Sequence, residues 1–329
     1  MLDRYVDDRI VDTFLTQQEI EDSQGTVNIM MGQTFDAGQP VDMVKYALFM
    51  MELSDRLEEK GCRPNATWLL ADHFMTEINS DKGSTKADRE MQRRIAYLEA
   101  LNQTYGGRIG MLPSSQLSRT QQYTAMLARV QGEVEQDPEF KAKLMKTIPE
   151  DRRGSPGALQ YPIEELTTIL TMDTDIKVGP PYEALYDRPA RESLDGSQFK
   201  RYSGVYLTRA FPFGNPDLRP KVKEGIEMFG ILPYKKDSKD LGKYRIDPMN
   251  DSMEKVERLL RETKDQRAVD DLVAICSLAG KRLGTEFNVG ELAPQRKTEM
   301  AARLYEETIY RPIEGARIAE TLRRMDEVF

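Results

Sequence analysis

"TVNIMMGQTFDAG", residues 26–38, starts as an apolar run and turns at Gly32 into a short polar loop. That is the pattern of a buried strand followed by a ligand loop. Neither GxGxxG nor GxxxxGK[ST] follows it, and it holds no histidine. The stretch therefore has the form of a nucleotide-fold strand without the residues that hold a nucleotide.

Outward from this stretch the pattern alternates. Met43, Ala47, Met50, Leu53 and Leu57 recur at helical spacing, and Gly61 stops that helix. "ATWLLADHF" is continuously apolar, as a strand buried on both faces is, which completes a β-α-β unit. "KADREMQRRIAYLEALNQTYGG" predicts a long charged helix, "GRIGMLP" a strand, and "TQQYTAMLARVQGEVEQDPEFKAKLMKTI" a single helix. After a loop or a helix entry at "EDRRGSPGALQYP", the stretch "IEELTTILTMDTDIKVG" leads to another strand-like turn. From Met253 onward nearly everything is helix-periodic. The expected fold is α/β, a doubly wound parallel Rossmann-like sheet with a helical C-terminal part, divided as a catalytic domain over 1–250 and a helical segment over 251–329 packed on it. Ligands of such sheets bind beyond the carboxyl ends of the strands.

Bulk properties narrow the function. The chain has 329 residues, 31% of them charged, and no apolar stretch long enough to span a bilayer. Its N-terminus, "MLDRYVDDRIVDTF", lacks an apolar signal core, and Cys62 and Cys276 form no CxxC, so two reduced core thiols in the cytoplasm are expected. With two cysteines and one histidine, His73, there is no nitrogen and sulfur set for a structural zinc, and neither a metal nor a cofactor is expected. The net charge of −8 disfavours non-specific binding of nucleic acid by the whole surface, and neither DNA nor a membrane is an expected partner.

The order of strands and loops resembles the catalytic domain of class I aminoacyl-tRNA synthetases, in the tyrosine and tryptophan branch. "GQTFDAGQPVDMVKYAL" occupies the place of that family's HIGH-type loop, "LLADHF" that of its second strand, and "KDSKDLGKYRIDP" resembles a degraded KMSKS loop. "MAARLYEETIYRPIEGAR" is similar to the terminal helices of tryptophan-type enzymes. Adenylation in that family uses the HIGH histidines and KMSKS lysines. Here Pro40, Val41, Asp42, Met43 and Val44 offer no histidine and add a carboxylate, which repels phosphate.

A family built on the same fold without ATP, the cyclodipeptide synthases, is resembled more specifically. Its pattern is Gly-x-Ser after the first strand, Tyr-xxx-Glu at a helix start, and a further Tyr about twenty residues on. This chain has Gly32-Gln33-Thr34, then Tyr161 and Glu165, then Tyr186 with Tyr182 as its near alternative. Threonine replaces the serine, and Pro162 lies inside the second motif. The added C-terminal length suits the divergent branch that makes arginine-containing cyclodipeptides.

The resemblance implies that Thr34 is the nucleophile, that Glu165 holds the α-ammonium and accepts its proton, and that Tyr186 relays protons. The chemistry agrees. An ester already activated on tRNA needs no strong base to react with a hydroxyl, and Tyr161 and Glu165, four apart, share a helix face. Each has a plainer alternative: a turn hydrogen bond for Thr34, a solvated glutamate, a half-buried tyrosine. Gly32 and His73 lie near the strand ends, His73 as pocket wall or core residue. A carboxylate among Asp42, Asp173 and Asp175 would select a cationic side chain if it lines the pocket.

For tRNA, Lys86, Arg89 and Arg93 fall at i, i+3 and i+7 with Arg94 beside them, while Met91, Ile95 and Leu98 fall on the opposite side. That basic stripe suits phosphates, although such runs are often solvated faces. Arg152, Arg153, Lys235 and Lys236 would extend it. Three functions fit. They are a tRNA-dependent cyclodipeptide synthase acting on two aminoacyl-tRNAs, an adenylating synthetase-like ligase relying on Lys236 and Lys239, and an inactive paralogue that binds tRNA.

Overall fold

Strand β1 (Thr26–Gln33) lies inside an all-parallel sheet with β2 (Arg63–Leu70), β3 (Gly110–Pro113) and β4 (Ile176–Val178), in the order β3-β2-β1-β4. The protein is seen in a computed structural model that describes residues 25–33, 40–70, 72, 84–148, 153–155, 157–172, 174, 176–178, 246–263, 266–285, 287 and 294–317. From β1 the chain steps outward to β2 and β3, then crosses to the other side of β1 for β4. The doubly wound topology therefore switches direction between β1 and β4, where such sheets open a crevice at the strands' carboxyl ends.

Helix α1 (Pro40–Glu59) connects β1 to β2 and α2 (Ser84–Tyr105) connects β2 to β3. Gly61, at φ 83°, turns the chain out of α1 in a conformation that other residues rarely adopt. β2 starts three residues earlier than its apolar run, at Arg63-Pro64-Asn65. β3 pairs with β2 only from Thr67 onward, so Pro64 sits where β2 has a single neighbour and its missing donor breaks no ladder.

The expected single helix over residues 120–148 is two. α4 (Gln121–Gln136) ends at Asp137, whose carboxylate accepts from the backbone of Glu139 at 2.8 Å and Phe140 at 3.0 Å and so caps α5 (Pro138–Thr147). Proline in the first turn after a capping aspartate starts a helix and cannot continue one. A short helix, α3 (Ser114–Leu117), precedes them, and α6 (Gln160–Thr171) leads into β4.

The C-terminal part comprises α7 (Met253–Glu262), α8 (Gln266–Arg282) and α9 (Pro294–Tyr305), and α9 runs on through a π-helical turn (Glu306–Tyr310). These helices close the core rather than hang from it. Val44, Leu48, Phe49 and Met50 make α1 apolar beyond a single face, because α1 lies between the sheet and α8. Across that packing surface Lys281 reaches the buried Glu52 at 2.9 Å and Arg282 pairs with Asp55. Trp68, the chain's one tryptophan, is fully buried on β2. No helix among the described residues is long and apolar enough to cross a membrane.

Candidate active site

The carboxyl ends of the strands are fastened to one another by short polar residues. Asp72, just past β2 and buried, accepts from the Ser114 hydroxyl at 2.9 Å and the Ser115 amide at 3.0 Å, at the point where β3 passes into α3. One carboxylate thus ties the ends of two neighbouring strands and satisfies an amide at a helix start. Gly32, opposite Leu69 in the ladder, is the next-to-last residue of β1, and Asp42 falls in the first turn of α1.

Helix α6 forms another wall. Only four residues separate its end from β4, so α6 runs back against the strand direction and its first turn lies toward the strands' carboxyl ends. Pro162 is harmless there, because the first four amides of a helix have no intrahelical acceptor. Tyr161, half-buried, stands in this first turn, with Glu165 one turn further on.

Glu164 on this helix is buried, and no sequence motif singles it out. Its Oε2 accepts from the Tyr123 hydroxyl at 3.1 Å, and its Oε1 from Gln160 Nε2 at 2.9 Å. Burial, and after it the negative charge of Glu164, push the Tyr123 phenol far above its ordinary value, so it stays a protonated donor. The Thr168 hydroxyl donates to the Glu164 carbonyl at 2.8 Å. Thr167, Thr168 and Thr171 continue the polar character along the buried side of α6, and Thr174, past its end, donates to Met30 Sδ on β1 at 3.8 Å.

On α2 the expected inner side holds: Met91 and Ile95 pack against the core and Leu98 is fully buried. Lys86 and Arg89 lie in the first two turns. Arg93 makes an ion pair of 2.8 Å with Asp247, in the turn that precedes α7, while Arg94 turns toward α1 and donates to Met43 Sδ. Arg153 donates to the Ile148 carbonyl at 2.9 Å. Thr34, His73, Asp173, Asp175, Tyr182, Tyr186, Arg152, Lys235, Lys236 and Lys239 lie outside the described residues. The structure thus brings Tyr161 and Glu165 together on one helix, with Gly32 and Asp42 on the strand and helix beside the switch point.

Among the described residues no group of histidine, cysteine and acidic side chains is arranged to hold a metal. No protein-family model matches the sequence, and no curated protein matches it. The fold does match solved structures. A tyrosyl-tRNA synthetase from Aeropyrum pernix superposes with a TM-score of 0.61 at 16% identity, covering 98% of this chain and 96% of that one. The Archaeoglobus fulgidus tyrosyl-tRNA synthetase, complexed with L-tyrosine, gives 0.60 at 15% identity, over 96% of both chains. The Pyrococcus horikoshii enzyme, also with L-tyrosine, gives 0.56 at 13%, over 93% of this chain and 91% of that one. The chain therefore has a Rossmann-like α/β fold of the class I synthetase kind.

Proposed function

We propose that the protein is a tRNA-dependent acyl-transfer enzyme that joins two aminoacyl groups into a cyclodipeptide. The observation that carries this reading is the first turn of α1. On a class I synthetase fold that turn follows β1, and here it bears Asp42 and no histidine. A carboxylate beside ATP opposes the phosphate charge that adenylation must stabilise. A substrate already activated as an ester on tRNA has no such need.

In this reading the Thr34 oxygen attacks the ester carbonyl, the bond to the ribose oxygen breaks, and the hydroxyl proton goes to that oxygen. The amine of a second aminoacyl-tRNA, its ammonium proton passed to Glu165, then displaces Thr34 and forms the peptide bond, while the second amine proton returns to the Thr34 oxygen. Ring closure repeats the step, as the free amine attacks the remaining ester and the second tRNA leaves. Tyr161 and Glu165, on one face of α6, hold the reacting ammonium.

Two assays test this. Purified protein given two aminoacyl-tRNAs and no ATP is expected to release a diketopiperazine. Amino-acid-dependent exchange of labelled pyrophosphate into ATP would overturn the reading. That exchange is the signature of a second reading, an adenylating ligase. The near full-length likeness to tyrosyl-tRNA synthetases and the lysine-rich stretch at Lys235, Lys236 and Lys239 favour it.

A further inference from the structure

We propose that Tyr123 is a positioning residue that fixes the first turn of α6, and with it Tyr161 and Glu165, through Glu164. The inference rests on the acyl-transfer reading of those two residues. Helix α6 begins without a capping side chain. Leu159 stands at its cap with helical φ −76° and ψ −14°, it supplies no side-chain acceptor, and no acidic residue occupies the first turn. Backbone bonds alone close this end: the Gln160 amide donates to the Gly157 carbonyl at 2.8 Å and Pro162 has no amide to satisfy.

What fixes this turn against its neighbour is a lateral tie to α4. Gln160, at the start of the helix, and Tyr123, on the neighbouring α4, donate to opposite oxygens of one Glu164 carboxylate. Tyr123 is in turn well anchored. It stands in the first turn of α4, and its amide donates to the Thr120 hydroxyl oxygen at 3.1 Å. That hydroxyl donates to the Leu117 carbonyl at 2.8 Å, at the end of α3. A chain of hydrogen bonds therefore runs from the edge of the sheet to the turn bearing Tyr161. Catalytic groups work only within about 0.5 Å of the productive geometry, and a misplacement of about 1 Å costs up to 100-fold in rate. Loss of one link should thus appear in the chemical step.

The experiment measures single-turnover dipeptide formation from isolated aminoacyl-enzyme, together with the KM for aminoacyl-tRNA and the melting temperature. Tyr123→Phe is expected to slow the step at least tenfold and to change KM less than twofold. Combining Tyr123→Phe with Glu164→Leu removes both partners of that bond, and the Gln160 side-chain amide, exposed, turns to water, so no buried group is orphaned and melting temperature is restored. The rate should stay low in this double variant. A rate that recovers along with stability, or a Tyr123→Phe enzyme within twofold of wild type, would overturn the role of Tyr123 and leave the acyl-transfer reading standing. Absence of any aminoacyl-enzyme in the wild type would overturn both.

Discussion

The Tyr105 hydroxyl donates to the backbone carbonyl of Thr308, 203 residues later in the chain, at 2.7 Å inside the core. The end of α2 and the π-helical turn after α9 are therefore joined by a bond that no solvent reaches. Removing the hydroxyl leaves a buried carbonyl short of a donor, at a cost of about 1–3 kcal/mol. Tyr105→Phe should lower the urea midpoint without splitting the transition. Fluorescence of Trp68 reports the sheet and far-UV circular dichroism reports the helices, so coincident curves are expected. Separate curves would show that the C-terminal helices unfold as an independent unit.

Cys276 lies beside this bond, fully buried, and burial pushes its thiol up to about 12 from 9.0. A raised value in the folded state means that the stability it supports is complete below pH 9 and is lost as pH rises toward 12. Between those limits the unfolded chain sheds a proton that the folded chain keeps. Stability should then fall by about 1.4 kcal/mol per pH unit on account of this group. Burial raises the Tyr105 and Tyr305 phenols as well, which adds to the fall above pH 10. Cys276→Ala should show a shallower decline between pH 9 and 10.5 in urea titrations. Equal slopes would remove the thiol as a cause.

The pairing of Arg93 with Asp247 changes how the basic stripe on α2 is tested. Arg93→Glu would set two carboxylates against each other and lower stability for reasons unrelated to tRNA. Lys86→Glu with Arg89→Glu leaves that ion pair intact. If these side chains meet phosphates, tRNA affinity should fall, and the log-log slope against salt should shrink by about 0.7–0.9 for each phosphate no longer neutralised. An unchanged slope would make the stripe a solvated face.

Much of the fold was legible because its signals are local. The apolar run at 26–31, the helical spacing from Met43 to Leu57 and the stop at Gly61 each depend on neighbouring residues, and the structure follows them. The break at Asp137-Pro138 was legible too, since a capping residue followed by proline starts a helix, but the apolar period runs through it and hid it. Glu164 was not legible. Tyr161 and Glu165 share a helix face by spacing alone, whereas nothing within α6 says that α4 lies against its other side and brings Tyr123 to the adjacent carboxylate. The Arg93–Asp247 and Lys281–Glu52 pairs are of the same kind, formed between segments far apart in sequence.

Thr34, directly after β1, carries the sharpest prediction about chemistry. If it bears the first aminoacyl group as an ester, acid quenching after incubation with radiolabelled aminoacyl-tRNA should leave label on the wild-type protein. Thr34→Ala loses only the covalent step, so it should bind tRNA and take no label. Thr34→Ser keeps the hydroxyl and removes a methyl that crowds the attacking oxygen, so it should label and turn over at least as fast as wild type. Label and product persisting in Thr34→Ala would make Thr34 a turn residue, its hydroxyl occupied with the backbone. A nucleophile would then have to be sought elsewhere along the carboxyl ends of the strands.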